Sequence, residues 1–399
     1  MDIYFNVLFK NKTAGNAHAF CEVSIPHAIV ATLYWATDNG QPLEDYLPIC
    51  SYPLFNGKTE FFIREDLMIP EKATHLLLRA FNDSMLEIVL PEMLVEIPAE
   101  KRLKEEAPQK VIFAASDMHF GGDYFHNPAC RKRAFETIRD VNPDVVVVAG
   151  DVTDNSYPNE YAQATEYIEA YLPSTPVFVT FGNHDYSPYA KGSFPHYDDM
   201  LLFMQNQIKH NEALGIEMTP LTERNTYAAR IDGISFIMLN PNEENRHYEY
   251  REDQLKWFDE QLSLSDGDRF RVVTTHFHRY NTVSVPRRKT PVNVPVNDDK
   301  CGEIIDRHRN IIHISGHSHY NMDDNDMVSA KLDEKHNVLY SNGGCMVWTG
   351  VAMNERPEYY QKDRAMGQII EVYSDHIIVR GVEYVSGKYI SRCIHYVNM

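Results

Sequence analysis

The chain has 399 residues, 43% of them hydrophobic and 24% charged, which is the balance of a soluble globular protein long enough for two domains. Its formal net charge of −19 argues against a nucleic-acid-binding surface, which normally carries a basic patch. The six cysteines are scattered without a C-x-x-C pair, and no apolar run approaches the length of a membrane span. We therefore expect reduced thiols, a cytoplasmic location, and neither nucleic acid nor membrane as a partner.

Residues 1–97 contain short runs rich in β-branched and aromatic residues, such as 3–9, 19–25 and 74–81, separated by turn residues. This spacing predicts a β-sandwich, and the stretch 62–78 resembles a fibronectin-type sandwich. No catalytic arrangement of side chains is visible in this part. It is therefore interpreted as an accessory module that packs against, or shapes, a substrate site elsewhere.

The segment 98–109 is predicted to be a linker because charged residues lie between Pro98 and Pro108. After it, apolar strand-like runs alternate with amphipathic helical stretches, which indicates a layered α/β domain over residues 110–399. The C-terminal β-hairpin, with its turn at 374–376, is assigned to that domain. The predicted strands are 111–115, 145–149, 177–181, 270–275 and 311–315, and the predicted helices lie near 131–140, 159–171, 197–214 and 252–264.

Polar residues that could bind a metal follow each of these five strands. Ligands in open α/β sheets bind beyond the carboxyl ends of the strands, so the five motifs are expected to converge. Asp117 and His119 are two residues apart, so both side chains can face the same side of an extended chain and share an ion. The motifs are Asp117-Met118-His119, Gly150-Asp151-Val152-Thr153-Asp154, Gly182-Asn183-His184-Asp185, Thr275-His276-Phe277-His278 and Gly316-His317-Ser318-His319.

In this order the motifs resemble the calcineurin-like metallophosphoesterase family, whose signature reads DxH, GDxxD, GNHD, H and GHxH. The resemblance implies a four-layer αββα sandwich, here preceded by the N-terminal β-sandwich. Purple acid phosphatases carry tyrosine where this chain has Asp154 and glycine where it has His119. The chain therefore resembles other branches of the family more, although those enzymes also have an N-terminal β domain.

The resemblance also implies a centre of two metal ions bridged by Asp151. One ion would be bound by Asp117, His119, Asp151 and His319, and the other by Asp151, Asn183, His276 and His317. This mixture of imidazole, carboxylate and amide ligands suits manganese, iron or zinc, among which the sequence does not choose. Such a pair of ions can generate hydroxide from bound water and offset the charge that develops at phosphorus.

Four further side chains receive roles from the resemblance. His184 is expected to protonate the leaving group, and Asp185 to orient His184 by a hydrogen bond. Asp154 either fixes a metal ligand through a hydrogen bond or caps a helix. His278 either lines the pocket or is an ordinary surface imidazole.

The sequence thus predicts a binuclear metal-dependent hydrolase of phosphate esters that acts through a metal-bound hydroxide. Small phosphodiesters such as cyclic nucleotides are the expected substrates, because an intact DxH and GNHD occur in bacterial cyclic-nucleotide phosphodiesterases of this family. Two alternatives stay open, a phosphomonoesterase and a non-catalytic scaffold with the same fold. A scaffold typically lacks His184 or a metal ligand, and this chain has all of them.

Overall fold

The computed structural model describes residues 3–10, 17–63, 67–90, 93–103, 106–122, 127–186, 196–244, 247–284, 295–324, 327–347, 349–352, 357–361 and 363–398. The chain forms two compact units. The first contains residues 1–108, 376–382 and 387–398, and the second contains 109–375 and 383–386.

The N-terminal part of the first unit is built from antiparallel strands in two sheets. One sheet has the order β1-β2-β5 and the other β4-β3-β6-β7, with β8 paired to β6. A short 3-10 helix, Ala99–Lys101, follows. The strands are β1 (Tyr4–Phe9), β2 (Ala19–Ser24), β3 (Val30–Ala36), β4 (Cys50–Pro53), β5 (Lys58–Ile63), β6 (His75–Phe81), β7 (Glu87–Ile88) and β8 (Leu94–Glu96).

Alternation of buried and partly exposed residues explains why these segments form a sandwich. Along β6 every second side chain is buried, which is the period expected of a strand with one face on a core. Trp35 of β3 lies in that core, 1% exposed. The rings of Tyr52 and Phe61 stack with centroids 4.2 Å apart and join a strand of one sheet to a strand of the other.

The segment predicted as an exposed linker is partly packed against the first unit. Lys101 and Leu103 are buried, and the backbone N–H of Leu103 donates to the carbonyl of Ile69 at 3.1 Å. The charged composition of the segment does not predict this packing, because the aliphatic part of a lysine can be buried like an apolar side chain.

The second unit contains strands and helices in alternation. Its strands are β9 (Lys110–Ala115), β10 (Val145–Ala149), β11 (Val177–Thr180), β12 (Glu217–Met218), β13 (Tyr227–Ile231), β14 (Ile234–Met238), β15 (Asn242–Glu244), β16 (His247–Glu249), β17 (Phe270–Thr274), β18 (Ile311–Ser315), β19 (Ala330–Asp333), β20 (Val338–Asn342), β21 (Thr349–Ala352), β22 (Pro357–Gln361) and β23 (Met366–Val372). Its helices are α1 (Pro128–Val141), α2 (Pro158–Tyr171), α3 (Asn183–Tyr186), α4 (Tyr197–Ala213), α5 (Glu252–Leu264) and α6 (Asp298–Arg307).

Two sheets form the middle of this unit. In the first, β11, β10 and β9 are parallel neighbours and β23 runs antiparallel to β9. The second has the order β12-β13-β14-β17-β18-β20-β19, with β14, β17, β18 and β20 parallel. The sheets contact each other through the rings of Phe178 and Phe236, whose centroids are 5.0 Å apart.

Helices cover the outer faces of the two sheets. Phe135 of α1 and Tyr167 of α2 pack with Phe120 beside the first sheet, and α4 contacts β11 through Asn211. On the other side, α5 and α6 bury Phe258 and Ile305 in one apolar cluster with strands of the second sheet. The predicted four-layer αββα sandwich, preceded by a β-rich region, is confirmed.

The C-terminal strands are β24 (His376–Glu383) and β25 (Lys388–Asn398). The sequence predicts that this hairpin belongs to the second domain, whereas most of it is compactly associated with the first unit. Tyr389 forms a parallel bridge with Tyr46, and Arg380 donates to the Tyr46 hydroxyl at 3.1 Å. Every residue of β24 is buried, so the strand has no exposed face that could indicate which core it joins.

Candidate metal centre

The strand exits of the second unit turn sharply to bring their polar side chains together. A positive φ is uncommon for residues other than glycine and persists only where the surrounding structure supports it. Five of the predicted ligands share this left-handed conformation, namely Asp117 (56°), His119 (45°), Asp151 (49°), His317 (70°) and His319 (51°). The backbone at 117–119 is therefore not the extended chain that the sequence predicts.

Three glycines allow the loops to approach each other closely. Gly150, at φ +83°, leaves no room for a Cβ beside the His276 ring. A Cβ on Gly182 would overlap the Asp151 carboxylate, and one on Gly316 would overlap the Ser116 hydroxyl. The glycines of the GDxxD, GNHD and GHxH motifs are thus needed for packing around the ligands.

Asp117, His119, Asp151 and His319 form a first cluster of possible ligand atoms. Nε2 of His319 lies 2.8 Å from Oδ1 of Asp117 and 3.2 Å from Nε2 of His119. All four side chains are buried, with Asp117 0% exposed. Imidazole and carboxylate groups at this spacing are able to bind one metal ion.

The second cluster joins Asp151, Asn183, His276 and His317. Nε2 of His276 is 3.0 Å from Oδ1 of Asn183, 3.1 Å from Nδ1 of His317 and 3.4 Å from Oδ2 of Asp151. His119 of the first cluster is 3.8 Å from the same Asp151 oxygen. Asp151 therefore lies between the clusters and is the residue positioned to bridge two ions.

The second ring nitrogens of His276 and His119 support this interpretation. Nδ1 of His276 donates to the Ala149 carbonyl at 2.7 Å, and Nδ1 of His119 lies 3.2 Å from Oδ1 of Asp154. With a proton on Nδ1, each ring presents Nε2 to the oxygens of the clusters, and Nε2 is then the atom that can bind a cation. An acceptor behind the ring is typical of metal-binding histidines.

Charges within the clusters hold the carboxylates ionised. Burial acts against ionisation of Asp117, but His319 and His276 together lower the pKa of Asp117 to about 2. The pKa of Asp151 is likewise well below its usual range, because His276, His184 and His119 outweigh burial. Burial and the neighbouring His276 lower the pKa of His317 to about 3. The centre thus offers two carboxylates and a neutral His317 to a cation.

His184 lies beside these two clusters and forms a further group of possible ligands with His119 and Asp154. Its Nδ1 lies 2.9 Å from the Asp154 carbonyl and 3.3 Å from the carboxylate of the same residue, and its ring meets His119 edge-on at 4.5 Å. Its side chain is 19% exposed, so the ring reaches the surface of the site. Burial lowers the pKa of His184, but Asp151 and Asp154 raise it above its usual value.

The prediction that Asp185 orients His184 through a hydrogen bond is wrong. The Asp185 carboxylate instead accepts from the backbone N–H groups of Val152, Thr153 and Gly182 and from the Thr153 hydroxyl, at 2.8 to 3.2 Å. Burial and the Asp151 charge raise the pKa of Asp185 to about 7. Asp185 therefore holds two strand-exit loops together, and Asp154 is the carboxylate that contacts both His184 and His119.

His278 is half-buried and belongs to neither cluster. Among the described residues its Nδ1 has no hydrogen-bond partner. Burial, with a smaller contribution from His276, lowers the pKa of His278 to about 4, so the ring is neutral. Nothing in these contacts assigns it a role.

Two residues that contact the proposed ligands are not predicted from the sequence, Arg131 and Cys345. Arg131 is buried and donates to the carbonyls of Met118 and His119, which fixes the DxH loop from behind. Its position in the first turn of α1 gives no sequence signal. The Cys345 sulfur lies 3.2 Å from Nδ1 of His319. The signal for it was present, since Asn342-Gly343-Gly344 follows a buried strand as the other motifs do.

Several known proteins are similar to this chain. A zebrafish (Danio rerio) transmembrane protein with a metallophosphoesterase domain is 31% identical over 146 residues, which cover 36% of this chain. The chain spans only 32% of the length of that relative. No helix in the described part of the chain combines the length and apolar character needed to cross a membrane.

Solved structures with the same fold include purple acid phosphatase PPD1 from yellow lupin (Lupinus luteus), with a TM-score of 0.50 and 12% identity, covering 99% of this chain and 74% of that one. GAP50, the anchor in the inner membrane complex of Plasmodium, has a TM-score of 0.45 and 15% identity over 73% of this chain and 89% of that one. The family model for calcineurin-like phosphoesterases matches residues 110–321, more than half of the chain. The chain belongs to the calcineurin-like phosphoesterase family.

Proposed function

We propose that this protein is a binuclear metal-dependent hydrolase of phosphate esters, with small phosphodiesters such as cyclic nucleotides as its substrates. The observation that carries the proposal is the pair of ligand clusters that share Asp151. A single cluster would suit a structural metal. Two clusters that share a carboxylate are the arrangement used to hold two ions for in-line displacement at phosphorus.

Asp117, His119, Asp151 and His319 would hold one ion, and Asp151, Asn183, His276 and His317 the other. The donor set contains nitrogen and oxygen but no thiolate, and it fits manganese, iron or zinc. When bound, paired ions of this kind activate water and neutralise charge that develops on the phosphoryl oxygens.

The protein's own groups would supply orientation and a proton. His184 is the proposed general acid, with its Nδ1 side held by Asp154 and the ring reaching the surface of the site. A proton at Nε2 would pass to the oxygen that leaves when the phosphorus–oxygen bond breaks. Asp154 would fix His119 and His184 together, so the metal ligand and the acid keep a constant separation.

The choice of a diester rests on the resemblance to bacterial cyclic-nucleotide phosphodiesterases in the DxH and GNHD motifs, in which Asp117, His119 and His184 are present. The metal clusters alone serve monoesters equally well, because they contact the phosphorus centre and not the ester group. The substrate class is therefore decided by assay.

The test is a substrate panel with the metal-reconstituted full chain. We expect bis(4-nitrophenyl) phosphate and cyclic nucleotides to be hydrolysed faster than 4-nitrophenyl phosphate. Monoester turnover that exceeds diester turnover by orders of magnitude would identify a phosphomonoesterase. No turnover together with less than one metal per chain by elemental analysis would identify a scaffold.

We also propose a cytoplasmic location. None of the six cysteines forms a disulfide, and five of them are buried. Reduced cysteines in this number are typical of a reducing compartment, where disulfides rarely persist. Fractionation of cells that express the full-length protein tests the location.

A further inference from the structure

We propose that Cys345 is a positioning residue for the metal centre. Its sulfur accepts a hydrogen bond from the Nδ1–H group of His319 and thereby directs Nε2 of that ring toward the first metal. The inference rests on the proposed function, because it concerns the ion that the first cluster would hold. It assigns a task in the centre to a side chain outside the five motifs.

The contacts of His319 show why an acceptor is needed at this point. Nε2 of the ring lies 2.8 Å from Oδ1 of Asp117, so Nε2 is the ligand atom. A neutral imidazole that binds a metal through Nε2 carries its proton on Nδ1. In a buried site that proton needs a partner, and the Cys345 sulfur lies 3.2 Å away, with Cys345 itself 0% exposed.

Two other histidines of the centre have an oxygen in the same place. His276 uses the Ala149 carbonyl and His119 the Asp154 carboxylate. An acceptor behind the ring that fixes the tautomer is a general feature of metal-binding histidines. For His319 this chain supplies a sulfur instead, which is a weaker and larger acceptor than oxygen.

The backbone around Cys345 is built to bring the sulfur to this position. Gly344, at φ +78°, lies so close to the Met366 carbonyl that a Cβ would not fit. The backbone groups of Cys345 and Met366 exchange two hydrogen bonds of 2.9 Å, which fixes the residue itself. Its S–H group points to the Asp117 carbonyl at 3.7 Å. Cys345 therefore contacts two of the three loops that supply the first cluster, those of Asp117 and His319.

The decisive experiment measures metal affinity and not turnover. Apo full-length protein is titrated with Mn²⁺ by calorimetry for the wild type, Cys345→Ala, Cys345→Ser and Cys301→Ala. Cys301 is the matched control, because it is also buried but lies on α6, in the apolar cluster with the second sheet. We expect Cys345→Ala to weaken one Mn²⁺ site by about 10- to 100-fold, as removal of such acceptors does. Cys345→Ser should bind more tightly than Cys345→Ala, and Cys301→Ala should bind like the wild type.

A second measurement needs no substitution of the cysteine. Long-range ¹H–¹⁵N NMR of the ¹⁵N-histidine-labelled, zinc-loaded wild type reports the tautomer of each ring, and the His319→Gln variant identifies its signals. We expect the proton of His319 on Nδ1. A proton on Nε2, or equal Mn²⁺ affinities in Cys345→Ala and Cys301→Ala, would overturn the inference. Failure of the wild type to bind two metals would instead refute the proposed function.

Discussion

The replacement His184→Ala separates proton donation from metal binding. The side chain of His184 contacts Asp154 and packs on His119, whereas its contact with Asp151 is made by the backbone N–H, at 2.9 Å. Alanine keeps that backbone group. We therefore expect the variant to retain both metals, and to lose stability only by about 1 kcal/mol for one side-chain hydrogen bond.

The expected loss of activity depends on the leaving group. General acid catalysis contributes about 10²- to 10⁴-fold, which at about 1.4 kcal/mol per factor of ten corresponds to about 3–5 kcal/mol of barrier. We expect His184→Ala to lose at least about 100-fold on alkyl and cyclic nucleotide esters. Nitrophenolate leaves without a proton, so aryl esters should lose far less.

The pH profile gives an independent check. Asp151 and Asp154 hold the pKa of His184 above its usual value against the effect of burial. The acid is active while protonated, so wild-type turnover of alkyl esters should fall at alkaline pH, where His184 loses its proton. His184→Ala should lack this alkaline limb.

The assay compares kcat for aryl and alkyl diesters, with metal content measured on the same samples. His210→Ala is the control, since His210 is also partly buried and bonds a main-chain carbonyl, that of Thr175 at 3.2 Å. Equal losses on both ester types would show that His184 does not protonate the leaving group. Loss of a metal ion would show that the ring contributes to the centre itself.

Three further predictions concern the bridging ligand Asp151, the carboxylate of Asp154 and the buried His313. Asp151→Asn should reduce the metal content to fewer than one ion per chain, whereas Asn183→Ala should leave the first site occupied. Elemental analysis measures the metal content of both variants. Equal metal content in the two variants would contradict a bridging Asp151. Asp154→Ala should weaken metal affinity by about 10- to 100-fold and also lower turnover of alkyl esters, because its carboxylate contacts both His119 and His184; unchanged Mn²⁺ affinity in calorimetry would exclude the contact with His119. Burial, followed by Arg279 and His278, lowers the pKa of His313 to about 3. The unfolded chain therefore binds a proton below pH 6.5 that the folded chain does not, and stability should fall with decreasing pH by at most about 1.4 kcal/mol per pH unit. Urea unfolding of the metal-free protein between pH 7 and pH 5 should show a shallower decline for His313→Gln, and identical slopes would refute the assignment.

The fold and the meeting of the ligands could be predicted because both depend on short, local patterns. Buried strands such as 145–149 end at glycine and a polar residue, and parallel strands bring their ends to one edge. The left-handed backbone at Asp117 and His119 could not be predicted in this way. Such a conformation depends on support from elsewhere in the fold, here from Arg131, whose guanidinium binds the loop carbonyls.

The carboxylate that contacts His184 could not be predicted from the sequence for a related reason. Asp185 is adjacent to His184 in the chain, but the two are consecutive in the short helix α3 and their side chains point apart. The closer carboxylate is Asp154, from another loop. Sequence neighbours are thus a poor guide to side-chain contacts where the backbone is helical. Distance along the chain likewise gives no indication that Cys345 contacts His319, because the two residues are 26 positions apart.

The origin of the ligands has a consequence for folding. Asp117, Asp151 and Asn183 follow strands of the first sheet, whereas His276, His317 and His319 follow strands of the second. Each of the proposed cations would therefore link one sheet to the other, and its binding energy would stabilise the contact between them. Chelation should accordingly increase amide hydrogen exchange in β11 and β14, where the sheets touch through Phe178 and Phe236. The proposed metal centre would thus stabilise the second unit in addition to its proposed part in hydrolysis.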